Sequence, residues 1–549
     1  MKDIARQVNS YSRTILVILL LLGVAGGAVV FWATQNGPGG FSDSVEYIVT
    51  ARNFLNGSGF GLFTPSGKFV VTDLHPPLYS LLLSGMGILR VDLLNAARWS
   101  NIALFAATIF INGFIFLRFS RVSIFSVLAG LLTLSFPVVL DVFTQAISEP
   151  LFLFLLSLSS FLLLHHLREH SMRSLFAAAI VGGLIPVTRY VGVAFFLSAG
   201  LCVVLFSSGT WKQRIGRTFL FGLIAAIPLV IWFAVLSVGS SRGVGGRSFQ
   251  FDWEQIVAGF HFFCNRATEI VWDWIPYSRR KPFEFFHGNR YPVIAISSLT
   301  VAAITGLAGS RRAERDREQG NSSDMQIALL FSSGVLFYLL VYMVTWLVTI
   351  PQPDLIDRLL MPVYFGASLG LLGCWGVWQS AWFASGRTVV RMFPWAAVLI
   401  VVYWFFPQWV DVIVQSRRND TLLASRWQDS ELIQAIRELP EDTSVISNRS
   451  AAVLMWADRP AFEMMDALRS DFIDQTTPYG SDNADAVQRM FREGAVLVVF
   501  DTFPSQLEVK YGTRGRIRLE TIFDGLVIQA DYSDGDMYVH PGYEVQIGE

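Results

Sequence analysis

Residues 15–33 read ILVILLLLGVAGGAVVFWA, and residues 40–47, shortly after them, read GFSDSVEY. The first stretch has no charged side chain and is long enough to cross a bilayer as a helix, which takes about 20 apolar residues. It is too long for the apolar core of a signal peptide, and no small-residue cleavage site follows it cleanly. We therefore predict an uncleaved first transmembrane span, followed by an outer segment that begins with two carboxylates.

The composition places the chain among multi-pass membrane proteins. Of its 549 residues 53% are hydrophobic, the mean hydropathy is +0.47, and only 15% are charged, against about a quarter in soluble domains. The formal net charge of -1 and the lack of a basic stripe argue against nucleic acid as a partner. The three cysteines form neither a disulfide framework nor a zinc motif.

Apolar runs of about 18 to 25 residues recur along the chain and predict about eleven transmembrane helices. Residues 75–89 are apolar but short and open with two prolines, so we predict a tilted or surface helix there. The predicted spans are residues 15–33, 95–117, 122–140, 149–167, 174–187, 191–206, 218–238, 291–308, 325–350, 359–383 and 393–410.

Basic clusters orient these spans, because cytoplasmic loops are enriched in Lys and Arg. The clusters all fall on one side, and acidic stretches at 43–73 and 354–357 fall on the other. We predict an integral multi-pass plasma (inner) membrane protein with a cytoplasmic N-terminus and with outer loops at 35–76 and 239–289. The basic clusters lie at residues 2–13, 118–121, 168–173, 212–217, 311–317 and 387–391.

After Asp411 the composition changes to that of a soluble domain. Helical patterns and short buried strands alternate there, with turn signals near the end of the chain. The predicted fold class is a polytopic α-helical membrane protein with a small C-terminal α/β domain. We expect a transmembrane domain over residues 1–411 and an extracytoplasmic α/β domain over residues 412–549.

The outer segment after the first span carries its two carboxylates at the head of a predicted short helix. Asp43 and Glu46 stand there, and Tyr47 lies one turn after Asp43. Apolar residues between 45 and 55 form a stripe that could lie on a membrane surface. An alternative gives Asp43 only a capping role, with Glu46 as its capping-box partner.

Further charged residues fall near the predicted outer face, where charge is costly and usually functional or paired. Glu149 opens the fourth span, and Arg189 stands between two apolar halves. Asp357 and Arg358 open the tenth span. The alternatives are a helix cap for Glu149, a snorkelling side chain for Arg189 and a local ion pair between Asp357 and Arg358. For Asp141 we predict only a turn.

The predicted topology brings Asp43, His75, Glu149, Arg189 and Arg358 to one depth on one side of the membrane. Unrelated accidents would scatter such residues over both faces. Carboxylates that face two arginines can perform an acid–base step beside a phosphate, because guanidinium groups donate paired hydrogen bonds to phosphate oxygens.

At these residues the sequence resembles the GT-C superfamily of membrane glycosyltransferases, the branch that includes protein O-mannosyltransferases and the lipid A aminoarabinose transferase. Each motif is weak alone, and their order and their placement on one side carry the resemblance over residues 1–410. The matching segments are residues 43–47 with the turn at 53–61, 75–79, 148–152, 184–192 and 357–362.

The resemblance implies an inverting glycosyltransferase that moves a sugar from a polyprenyl-phosphate donor to a lipid, glycan or protein acceptor outside the cytoplasm. It implies that Asp43 is the catalytic carboxylate and that Glu149 is the second acidic position. The usual pair in the family is an adjacent Asp-Glu, whereas here Ser44 follows Asp43 and the acid is Glu46. Some relatives bind a divalent metal cation, for which Asp43 and Glu149 would be ligands, and others work without one.

The chemistry agrees with this reading. A sugar phosphate already has a good leaving group, so the enzyme needs a base for the acceptor hydroxyl and positive charge at the phosphate. We predict Arg189 and Arg358 beside the donor phosphate. The predicted catalytic residues are Asp43, Glu46 and Glu149, and the predicted substrate-binding residues are Tyr47, His75, Arg189, Tyr190, Asp357 and Arg358.

A membrane transporter or flippase for a lipid-linked glycan or another anionic lipid is the main alternative, since it would also carry intramembrane charges. Transporters often contain inverted repeats, and the sequence shows no convincing internal repeat. A structural or sensor protein with an outer ligand domain is the third alternative, but it would not need charges that converge at one depth.

Overall fold

The computed structural model describes residues 2–120, 122–239, 248–249, 251–273, 323–350, 352–382, 388–464, 484–500 and 523–543. The predicted span at 291–308 lies outside the described residues. Contacts divide the chain into two compact units, which we call the first and the second unit, and the predicted boundary at residue 411 stays a prediction. The first unit comprises Met1–Gln35, Asp73–Leu82 and Asn95–Arg418, and the second comprises Asn36–Thr72, Leu83–Leu94 and Asn419–Glu549.

Helices make up most of the described chain. In chain order they are α1 (Lys2–Ala33), α2 (Ser42–Leu55), α3 (Leu78–Ile88), α4 (Leu93–Phe119), α5 (Ile124–Ser135), α6 (Pro137–Thr144), α7 (Glu149–Glu169), α8 (Met172–Leu184), α9 (Val193–Phe206), α10 (Trp211–Gly239), α11 (Trp253–Asp273), α12 (Ser323–Val348), α13 (Asp357–Trp382), α14 (Thr388–Arg418), α15 (Glu431–Glu438), α16 (Ser450–Ala452) and α17 (Ala484–Arg492). The strands are β1 (Gly61–Phe63), β2 (Phe69–Val71), β3 (Ser248–Phe249), β4 (Thr349–Ile350), β5 (Val445–Ser447), β6 (Phe462–Glu463), β7 (Val496–Phe500), β8 (Val527–Tyr532) and β9 (Gly535–Val539).

Seven of the described helices are long and apolar enough to cross a membrane, namely α1, α4, α7, α10, α12, α13 and α14. The pair α5 and α6 forms a further span that is bent by 61°. The bend falls at Phe136, because the proline after it favours extended backbone, and Phe136 has φ -77 and ψ 119. Each predicted span other than 291–308 falls on one of these helices or on the shorter α8 and α9. The predicted polytopic helical fold is confirmed.

Small residues bring the helices of the first unit close together. A Cβ atom on Gly183 would lie 2.7 Å from the carbonyl oxygen of Ala225, and one on Gly373 would lie 2.7 Å from the backbone nitrogen of Ala328. Close backbone approach at glycine is a main source of helix association in membranes, where lipid tails remove the hydrophobic driving force. Gly373 therefore allows α12 and α13 to pack closely at Ala328.

Gly373→Ala is expected to lower the melting temperature of the purified protein by several degrees, because overpacking costs about 1–3 kcal/mol. Gly222→Ala in α10 is the matched control, since an added Cβ meets nothing within 4 Å there, and alanine favours a helix by up to about 1 kcal/mol over glycine. Intrinsic tryptophan fluorescence during heating measures both variants. Equal melting temperatures for the two variants would contradict the close packing at Gly373.

The second unit contains a mixed five-stranded sheet with strand order β6-β5-β7-β9-β8. β5 pairs in parallel with β6 and β7, and the hairpin of β8 and β9 joins β7 in antiparallel fashion. Its core is built from buried residues that include Ile446, Phe491 and Leu497. The predicted small C-terminal α/β fold is confirmed, and the same unit also includes α2 and the β1–β2 hairpin.

The helix that carries Asp43 begins one residue before it. α2 starts at Ser42, Phe41 stands at the cap position, and the Ser44 hydroxyl accepts a hydrogen bond of 3.1 Å from the Phe41 N–H. The alternative that makes Asp43 the capping residue is therefore wrong. Val45, Ile48 and Val49 of the apolar stripe are buried inside the protein, whereas Leu55 is 37% exposed, and its contact with a membrane surface stays a prediction.

Candidate active site

The candidate site of the first unit centres on Glu149, the first residue of α7, whose side chain is only 2% exposed. The Arg189 guanidinium nitrogen Nη1 lies 2.7 Å from Glu149 Oε1, and Arg358 Nε lies 3.3 Å from the same oxygen. One buried carboxylate thus holds two guanidinium groups that come from distant parts of the chain.

Ser148 links two members of this cluster. Arg189 Nη1 donates to the Ser148 hydroxyl at 3.3 Å, and that hydroxyl lies 3.5 Å from Glu149 Oε2. Ser148 is fully buried and occupies the N-cap position of α7, but its side chain makes no capping hydrogen bond. Its hydroxyl therefore bonds Arg189 and Glu149 of the ion pair instead of capping the helix.

Local sequence explains why these side chains meet. Pro150 in the first turn starts α7 directly at Glu149, because a first helical position suits proline. Arg189 has extended backbone between α8 and a short 3-10 turn, Tyr190–Gly192, and Arg358 lies in the first turn of α13. The Arg189 head group pairs inside the protein, so the snorkelling alternative is wrong. Arg358 likewise reaches beyond a local pair with its neighbour.

The segment that carries His75 is attached to the loop that carries Arg189. Tyr190 donates from its hydroxyl to the Asp73 carbonyl at 3.0 Å, and the Leu78 N–H donates to the Val187 carbonyl at 2.9 Å. Trp232 of α10 in turn donates from Nε1 to the Tyr190 hydroxyl at 2.9 Å. These bonds flank His75 on both sides and hold its segment beside the Arg189 loop.

Two tyrosines of α12 hold the chain on both sides of Arg358. The Tyr338 hydroxyl donates to the Leu359 carbonyl at 2.5 Å, and the Tyr342 hydroxyl donates to the Asp354 carbonyl. Sequence reasoning missed both, although their spacing of four residues places them on one helix face. It also missed the roles of Ser148 and Trp232, and for Trp232 no pattern distinguishes it from a lipid-facing tryptophan.

Asp141 lies in α6 and not in a turn, so that prediction is wrong. Pro137 starts a second helix after the bend, and this helix carries the chain through Asp141 to Thr144. The Asp141 carboxyl is hydrogen-bonded to Gln145 and lies within electrostatic range of Arg358 and Glu149. Asp141 is therefore a peripheral acidic member of the cluster.

An apolar groove lies next to the cluster in the first unit, between α7, α9, α12 and α13. Tyr338 connects the two features, because it lines the groove and lies within electrostatic range of Arg189 and Glu149. The groove is lined mainly by apolar side chains. Its lining includes Phe152, Leu156, Phe195, Phe331, Tyr338 and Pro362.

Asp43, Glu46 and Tyr47 belong to the second unit, and their place at the same site stays a prediction. Asp43 and Glu46 are partly buried, whereas Tyr47 is 4% exposed. Asp357 is exposed beside Arg358 at the start of α13. His75 and Tyr190 lie in the first unit, in the joined segments described above.

The environment of Glu149 does not suit a metal ligand. Two guanidinium groups within 3.3 Å of its Oε1 atom would repel a divalent cation. Within the part of the chain that the structure describes, no group of three or more His, Cys, Asp or Glu residues is arranged to hold a metal ion. A cation bound through Asp43 stays untested.

Apolar helices, a buried carboxylate–arginine cluster in the first unit and a small α/β unit define a polytopic helical membrane protein. The chain is similar to the crystal structure of ArnT from Cupriavidus metallidurans bound to undecaprenyl phosphate, with 11% sequence identity, 94% of this chain and 97% of that chain covered, and a TM-score of 0.51. For the apo state of the same protein the TM-score is 0.49, with the same identity and coverage. No protein-family model and no curated protein sequence matches the chain. The likeness shows that this chain shares the fold of ArnT, in agreement with the predicted fold class.

Proposed function

We propose that the protein is an inverting glycosyltransferase that moves a sugar from a polyprenyl-phosphate donor to a lipid, glycan or protein acceptor on the extracytoplasmic face of the membrane. The observation that carries the proposal is the pair of guanidinium groups held by buried Glu149 at one end of the spans. The fold adds support, because the structurally similar ArnT was crystallised with undecaprenyl phosphate.

In the proposed reaction Asp43 is the general base. It takes the proton of the acceptor hydroxyl as the acceptor oxygen forms its bond to the anomeric carbon. The bond from that carbon to the phosphate oxygen breaks on the opposite face, which inverts the configuration. Arg189 and Arg358 stabilise the charge that develops on the departing polyprenyl phosphate.

The remaining predicted residues receive supporting roles in this proposal. Glu149 aims the two arginines, because a carboxylate between two guanidinium groups is better placed to hold them than to accept a proton. His75 and Tyr190 shape the donor side of the site through the bonded segments on which they lie. Glu46, Tyr47 and Asp357 are assigned to substrate contacts beside Asp43 and Arg358.

The membrane location of the chemistry follows from the donor. The polyprenyl tail would lie along the apolar groove, so that the phosphate meets the arginine cluster next to it. The basic loops support a cytoplasmic N-terminus and an extracytoplasmic C-terminal α/β domain, on the same side as Asp43.

Conversion of a labelled donor tests the proposal against a transporter or flippase. Purified protein in vesicles is supplied with a polyprenyl-phosphate sugar that carries label in the sugar. We expect free polyprenyl phosphate and labelled product to accumulate together. Label that crosses the membrane while the sugar–phosphate bond stays intact would favour the transporter and contradict the proposal.

Tyr190→Phe is expected to raise the donor KM about three- to tenfold with a smaller change in kcat, because two neutral hydrogen bonds of about 0.5–1.5 kcal/mol each are lost. Trp232→Phe keeps the Tyr190 bond to the Asp73 carbonyl and is expected to have the smaller effect. Tyr403→Phe is the control, since Tyr403 is 80% exposed. Steady-state kinetics with varied donor concentration measure all three variants. Equal donor KM values for Tyr190→Phe and Tyr403→Phe would show that Tyr190 does not contribute to donor binding.

A further inference from the structure

Glu149 also sets the charge of the arginine cluster. Arg189 and Arg358 bring two positive charges, and the buried carboxylate between them cancels one. Among the residues that the structure describes, Asp141 and Tyr338 are two further ionisable groups within electrostatic range of the cluster, and neither adds positive charge. Among these groups the cluster therefore carries at most one net positive charge.

The other groups named beside the cluster leave its net charge unchanged or make it more negative. Asp357 adds a carboxylate next to Arg358 at the exposed start of α13. Ser148 is neutral, and its hydroxyl donates to Oε2 of Glu149. The Tyr338 hydroxyl donates to the Leu359 carbonyl. None of these groups supplies a cation that could offset Glu149.

We propose that Glu149 makes the site select the charge of the donor phosphate over the charge of the product phosphate. The inference rests on the proposed function. The donor is a phosphodiester with one negative charge, whereas the released polyprenyl phosphate is a monoester that approaches two negative charges above its second pKa of about 6. A cluster with at most one net positive charge matches the diester and leaves the second charge of the monoester uncompensated. Glu149 thus promotes product release and is a specificity-determining residue.

Two lipid probes test this selection without knowledge of the sugar. Undecaprenyl phosphate and its monomethyl ester share one tail and differ by one charge near pH 8. We expect the wild-type full-length protein in detergent to bind the methyl ester at least as tightly as the phosphate. Glu149→Gln should shift the ratio of the two Kd values about tenfold or more toward the phosphate, because a unit charge a few ångströms away has at least that effect at the dielectric constants of protein sites.

Glu149→Asp is the matched control, because it keeps the charge and should keep the wild-type ratio. A Glu149→Gln protein that stays folded with an unchanged ratio would overturn the charge proposal. If wild-type protein binds neither lipid, the proposed function fails as well. Binding of both lipids with an unchanged ratio in the variant would leave the proposed function standing.

A measurement on wild-type protein covers the case in which Glu149→Gln does not fold. The affinity for undecaprenyl phosphate is divided by the affinity for the methyl ester from about pH 5 to about pH 8, across the second ionisation of the phosphate. Titration of protein groups such as Asp141 affects both affinities, so it cancels in this ratio. We expect the ratio to stay level or fall as the pH rises, and a tenfold rise would overturn the proposal.

Discussion

Asparagine in place of Asp43 is expected to lower the kcat for sugar transfer about 10²- to 10⁴-fold, the range that general acid–base catalysis supplies. The change keeps the size of the side chain and removes the group that takes the proton of the acceptor hydroxyl. The start of α2 should survive, because the contact between Phe41 and Ser44 does not involve position 43. The donor KM should change little. Release of polyprenyl phosphate from labelled donor measures both constants.

Asp420→Asn is the matched control for this variant. Asp420 is 73% exposed and pairs with Arg426 at 3.7 Å, and exposed ion pairs contribute about 0–1 kcal/mol to stability. We expect its kinetic constants to stay within about twofold of wild type. If the Asp43→Asn protein is fully active, Asp43 is not the base and the proposed mechanism is wrong.

Glutamine in place of Arg189 is expected to lower kcat/KM for the donor about 10- to 100-fold. Hydrogen bonds to charged groups contribute about 1.5–3 kcal/mol, and the donor phosphate would lose such contacts. The variant also releases one of the two guanidinium groups on Glu149, so its melting temperature should fall. Arg189→Lys should restore activity only in part, because an ammonium group lacks the planar fork that pairs with phosphate.

Arg118→Gln is the matched control, because Arg118 of α4 pairs with Glu169 at the other end of α7. Arg118 pairs with Glu169 at 2.9 Å, and the two side chains are 43% and 44% exposed. This variant should keep kcat/KM within about twofold, with a stability change below about 1 kcal/mol. Unchanged donor kinetics in Arg189→Gln, or an equal loss in Arg118→Gln, would contradict the special role of the arginine pair.

Composition and periodicity were enough to predict the membrane-spanning helices and the α/β fold at the C-terminus. Apolar runs determine the spans because the bilayer requires every backbone polar group to be bonded internally. The start of α7 at Glu149 was also readable, since Pro150 favours a first helical turn. Orientation by basic loops placed Glu149, Arg189 and Arg358 at one end, and the structure brings these three side chains into contact.

The details of the site could not be read in this way. The sequence predicts a turn at Asp141 because a bent span resembles a single span that ends early, and proline, which starts the second half of this span, also occurs in loops. The bonds from Trp232 to Tyr190 and from Tyr190 to Asp73 join segments far apart in sequence. Such contacts depend on how each helix is rotated within the bundle. The periodicity of apolar residues does not reveal which group a tyrosine hydroxyl or a tryptophan ring N–H will bond.

A density map of the full-length protein with bound undecaprenyl phosphate tests the proposed donor site most directly. We expect the phosphate oxygens to lie within about 3 Å of guanidinium nitrogens of Arg189 and Arg358, at hydrogen-bond distance, with Glu149 still between the two arginines. A phosphate bound elsewhere, with both arginines paired only to Glu149, would contradict the proposed donor site.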